Sequence, residues 1–72
     1  MLAFSGHALS VARKSAGLRP EQLAYQVERS VYSIHSYESG RAIPSVPVLV
    51  RLAVTLGRPI GSFFEEAPAD GT

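Results

Sequence analysis

Leu49, Leu52, Ala53 and Leu56 recur at i, i+3, i+4 and i+7. That spacing puts all four on one face of an α-helix. Ser45 precedes the run as an N-cap, and Gly57 follows it as a stop. Pro47 is tolerated in the first turn, where a missing N–H costs no intrahelical bond. Pro44 holds Ile43 outside helical geometry and closes the preceding loop. Nowhere does the chain alternate with period two for long enough to build a sheet, and it shows no internal repeat.

The same punctuation divides the rest of the sequence. Leu9, Ala12 and Ala16 form a helical stripe across Gly6–Ala16, with Ser5 as its cap and Gly17 as its stop. Lys14 near its end complements the helix dipole. Pro20 opens a second helix of about two turns. Glu21 sits in its first turn, and Leu23, Ala24 and Val27 form its apolar face. Ser30 caps a third helix, whose core pair is Ile34 and Tyr37, and Gly40 ends it. Ile60 to Glu65 fits one more short helix. The expectation is an all-α domain of five short helices over residues 5–65, followed by an acidic, flexible tail over 66–72.

Seventy-two residues make one domain with a small core. There is no cysteine, hence no disulfide and no thiolate metal site. Self-association is the expected source of any further burial. No apolar run is long enough for a membrane span, and the N-terminus does not have the pattern of a secretory signal. Absence of cysteine fits a reducing cytoplasm. The net charge of +1 conceals an asymmetry. Residues 1–64 carry seven cations against three carboxylates (Glu21, Glu28 and Glu38), a net of +4, while Glu65, Glu66 and Asp70 crowd the end. A basic body of this kind suits a phosphate-contacting surface.

Residues Gly17 to Gly57 resemble the lambda-repressor-like, Cro/C1-type helix-turn-helix family. The resemblance lies in G-L-R-P-E-Q-L-A-Y-Q-V, in S-V-Y-S-I-H-S-Y-E-S-G-R and in P-S-V-P-V-L-V-R-L-A-V-T-L-G. The closing I-G-S-F-F looks like the family's last short helix, and the likeness covers roughly residues 5–65. It implies a compact five-helix domain that binds operator DNA, usually as a dimer. Two positions depart from the pattern. Glu28 stands where the family usually has a glycine of positive φ. Arg29 stands where an apolar residue usually packs under the turn, and its methylenes are expected to cover the core with the charge carried outward.

The resemblance assigns roles residue by residue. The third helix, about 31–39, would lie in the major groove. The family's base-reading positions fall on Val31, Tyr32 and Ser36, with His35 beside them. None of these is Arg, Asn or Gln, so the bidentate pairings to guanine or adenine are missing. Direct readout is expected to be modest and supplemented by water or DNA shape. Phosphate contacts are expected from Ser30 and Ser33, from Arg19 at the start of the second helix, and from Arg41 just past the third. Arg13 and Glu38 are expected to pair, tying the first helix to the third and holding Arg13 toward the DNA backbone. A surface pair of this sort is worth about 0–1 kcal/mol.

The partner implied is double-stranded DNA, a roughly palindromic operator bound by a homodimer with its two reading helices ~34 Å apart. Phe63 and Phe64, in the last helices, are the candidate dimer contacts, with Phe4 as further apolar surface. A cytoplasmic, nucleoid-associated repressor follows. Six carboxylates and two histidines without a nucleophile–base pair or a phosphate loop leave no enzyme to propose. No cofactor and no metal are expected, since His7 and His35 are the only histidines and no cysteine exists. The rival reading is an antitoxin-like or adaptor module that uses the same fold to bind a protein.

Overall fold

A computed structural model describes residues 1–67. Among them strand β1 (Leu2–Phe4) leads into helices α1 (Gly6–Ser15), α2 (Pro20–Gln26), α3 (Val31–Ser39) and α4 (Val46–Leu56). A 3-10 turn at Ile60–Phe63 and strand β2 (Phe64–Glu66) follow. The predicted serine caps hold the starts of α1, α3 and α4. Ser5 Oγ accepts from the Ala8 N–H at 3.0 Å, Ser30 Oγ from Ser33 at 3.1 Å, and Ser45 Oγ from Val48 at 3.5 Å. Gly40 ends α3 at φ 83°, a left-handed conformation that side chains disfavour.

The helical architecture holds, with two revisions. The expected fifth helix shrinks to the single 3-10 turn, because Phe64 is already extended at φ −119°, ψ 141°. It pairs antiparallel with Phe4, and the register runs Leu2↔Glu66, Ala3↔Glu65 and Phe4↔Phe64. Three-residue strands are too short to leave an alternation in the sequence. The ordered fold therefore reaches past the expected limits of 5 and 65. Glu66, assigned to the tail, lies in β2 and its carboxylate pairs with the Met1 amino group at 2.6 Å. The rest of the proposed tail, including Asp70, lies outside the described residues apart from Ala67, whose N–H reaches the Met1 carbonyl.

Leu9, Leu23, Val27, Ile34, Leu52 and Phe63 are fully enclosed at the centre. Phe63 is the largest of them, which removes it as a dimer contact. Phe64 is half-buried and meets Phe4 edge-on, with ring centroids 6.1 Å apart. These rings close the end of the core instead of forming an open apolar surface.

Helix α3 packs against both α1 and α2. The contact with α1 is made at Gly6. A Cβ there would lie 2.3 Å from the Tyr37 carbonyl oxygen and 2.5 Å from that of Glu38. Only a residue without a side chain lets the first turn of α1 rest on the backbone of α3. Nearby, Arg13 is buried with Glu38: Nε donates to Oε2 at 2.6 Å, the second amino nitrogen to Oε1 at 3.2 Å, and the first to the Leu18 carbonyl at 2.9 Å.

Candidate nucleic-acid interface

The turn between α2 and α3 sets the angle of α3. Glu28 adopts φ 60°, as its place in the sequence predicted. The Arg29 N–H then reaches back to the Ala24 carbonyl at 2.9 Å. Ser30 starts α3 at the next residue. Ile34 and Tyr37 anchor the inner face of α3 in the core. With 100° between successive residues, Val31, His35, Ser39 and Tyr32 then occupy a continuous outer arc. All four are exposed, Tyr32 at 69% and Val31 at 40%.

Ser36 departs from its expected place among them. It is 7% exposed, at the edge of the arc where the returning chain covers it. Its carbonyl accepts from the N–H groups of Arg41 and Ala42 at 2.9 and 3.2 Å. Ser36 is the floor between two grooves rather than a point on the crest. One groove, of about 520 Å³, runs between α1 and α3 past His7, Ser10, His35, Glu38, Ser39 and Arg41. The other, of about 360 Å³, lies between α3 and the start of α4, past Arg29, Ser33, Ile43 and Ser45. Tyr32 and Ser36 border both, so Tyr32 stands as the ridge.

The expected phosphate contacts fare differently. Arg41 is exposed on the rim of the first groove. Arg19 is exposed, with its guanidinium 3.9 Å from Glu21, and its own N–H is taken by Gln22 Oε1 at 2.8 Å. Ser30 and Ser33 lie at the start of α3 with their hydroxyls 3.1 Å apart. Arg13 is the clear correction. Its side chain is 9% exposed and each of its three nitrogens already donates within the fold, so the guanidinium is committed to Glu38 and Leu18 rather than presented to a phosphate. The pairing with Glu38 is as expected, but it is a buried pair rather than a surface one.

Arg29 takes a place that sequence reasoning did not foresee. It is exposed and carries its charge outward, as expected. Its guanidinium donates to Ser33 Oγ at 3.2 Å, which puts a cation at the N-terminus of α3. The signal was present as a charge directly before an N-cap serine. Among the described residues every buried side-chain nitrogen and oxygen has a partner. Among the same residues no three His, Cys, Asp or Glu side chains gather to hold a metal ion, and no helix is long and apolar enough to cross a membrane.

Residues 6–61 match a family model described as a helix-turn-helix domain. The chain belongs to the lambda-repressor-like helix-turn-helix domains. This helix-turn-helix domain superposes on the restriction-modification controller protein C.AhdI from Aeromonas hydrophila with a TM-score of 0.77 at 25% identity, over 82% of this chain and 89% of that one. The P22 c2 repressor protein, solved with synthetic operator 9T, matches with a TM-score of 0.80 at 20% identity, over 97% and 98%. FeII HppE, solved in complex with substrate, matches at 0.78 and 25% identity, but this domain spans only 44% of that longer chain. No curated protein matches the sequence.

Proposed function

We propose that this helix-turn-helix domain is a transcriptional repressor that binds a palindromic operator as a homodimer, with α3 in the major groove. The observation that carries the reading is the outer arc of α3, where Val31, Tyr32 and His35 are exposed on a helix locked from behind by Ile34 and Tyr37. These three meet base edges, and Ser36 is met only by a group that enters a groove. Val31 suits a thymine methyl, while Tyr32 and His35 offer single hydrogen bonds and stacking. Arg29, Ser30 and Ser33 grip a phosphate at the start of α3. Arg41 and Arg19 take others on either side. The C.AhdI controller and the operator-bound P22 c2 repressor support this reading through their shared fold. The working compartment is the cytoplasm, on the nucleoid.

The dimer contact moves from the phenylalanines to α4. The inner face of α4 is buried at Val48, Leu49, Leu52, Ala53 and Leu56, while its outer face still carries valines, with Arg51 as the helix's one charge. Val46 and Val54 are 71% and 77% exposed, and Val50 lies between them at i+4. A second copy is the occupant that fits. Two such faces related by a two-fold axis bring valine against valine without facing like charges, and the contact closes on itself.

The test is selection of bound duplexes from random DNA, then titration of the winner against salt. The log–log slope is expected near −0.9 per phosphate neutralised. Val54→Glu is expected to give a monomer in sedimentation and to weaken operator binding. Absence of DNA affinity at low salt overturns the reading. Salt-insensitive capture of a protein would favour an antitoxin-like or adaptor role, which the lack of Arg, Asn and Gln on the α3 arc keeps in play.

A further inference from the structure

We propose that the groove between α1 and α3 seats a phosphodiester of the DNA backbone, with His7 and Ser10 of α1 as contacts. The proposal rests on the DNA-binding reading and extends its surface from α3 onto α1. The groove is continuous with the α3 arc, because Tyr32, His35 and Ser39 form one of its walls. His7 and Ser10 form the facing wall, and Arg41 closes the rim. The lining thus offers two imidazoles, serine hydroxyls and a guanidinium, and Tyr32 is its one large ring. That donor set suits an oxyanion.

The single carboxylate in the groove does not oppose this. Both oxygens of Glu38 are held by Arg13, at 2.6 and 3.2 Å, so its charge is balanced where it stands. The walls are also fixed relative to each other. Gly6, the residue before His7, rests directly on the Tyr37 and Glu38 carbonyls, which leaves the first turn of α1 no room to slide along α3. A phosphate in the groove would therefore lock the register of α3 on the duplex, as backbone contacts do.

The experiment measures anisotropy of a selected operator duplex against salt for wild type, His7→Gln, Ser10→Ala and Arg41→Ala. His7 is exposed, and unchanged melting of His7→Gln serves as the folding control. Loss of any of these contacts weakens specific and random duplexes alike, and loss of the Arg41 cation also lowers the salt slope by about 1. The proposal is overturned if His7→Gln and Ser10→Ala keep full affinity for both duplexes while Arg41→Ala weakens binding. It is equally overturned if inorganic phosphate occupies the groove and the DNA affinity ignores both His7 and Ser10. If the wild type binds no duplex at all, the DNA-binding reading falls with it.

Discussion

Replacing Arg13 by Met tests whether the Arg13–Glu38 pair is a structural strut. The two side chains are 9% and 12% exposed, and the guanidinium makes a two-pronged contact at 2.6 and 3.2 Å. Removing it leaves the Glu38 carboxylate without a counter-charge and the Leu18 carbonyl without its donor at 2.9 Å. Breaking a buried pair from one side costs about 3–5 kcal/mol. A chain of this length is stable by only about 4–11 kcal/mol. At roughly 4–8 °C per kcal/mol, Arg13→Met should melt at least ~12 °C lower than wild type. Glu38→Leu should do likewise by stranding the guanidinium. The double variant should recover most of the loss, since an apolar pair of similar volume replaces a buried ion pair at little or no net cost. Urea unfolding of the four proteins, followed by circular dichroism, closes the cycle. Because the double change is neutral in charge, its operator affinity and salt slope should stay those of wild type. Single variants within about 1 kcal/mol of wild type and additive in the double would show an ordinary surface pair, and the reasoning would fail.

Gly6→Ala places a methyl against the Tyr37 and Glu38 carbonyls, and the forced separation of α1 from α3 should cost about 1–3 kcal/mol in urea unfolding. Glu28→Gly relieves a side chain held at φ 60° and should raise the urea midpoint by the equivalent of about 0.5–1 kcal/mol, since the left-handed penalty exceeds the extra chain entropy of glycine. The 3.9 Å contact of Glu28 with Arg51 is too exposed to reverse that sign.

Local chemistry made much of the fold legible. The caps at Ser5, Ser30 and Ser45 and the stop at Gly40 depend on residues within four positions of one another, and the structure has them as the sequence indicated. The α4 stripe was visible because its period is carried by four apolar residues in eight. What stayed hidden depends on distant parts of the chain. The β1–β2 pair exists because the two ends of the domain meet, and six residues hold no period that could announce it. Arg13 and Ser36 look polar and therefore exposed, but one is buried by a carboxylate twenty-five positions away and the other by the chain returning through Arg41. Phe63 and Phe64 are adjacent and alike, yet one fills the core and the other caps the sheet. Most of the α3 arc followed from helical geometry once Ile34 and Tyr37 were set inward. The α1 wall opposite it did not, because nothing local in His7 or Ser10 says what they face.

The short sheet has a mechanical consequence. Its open end is formed by Met1 and Glu66, and its closed end by the Phe4–Phe64 pair next to the core. Tension applied through the two ends of the domain would therefore load one bridge at a time, starting with the contacts of Met1 to Ala67 and Glu66, as a zipper is opened. The helices bear no load until the last rung parts. A force probe would then record a soft first opening at the seam, followed by a stiffer resistance where Phe63 is held.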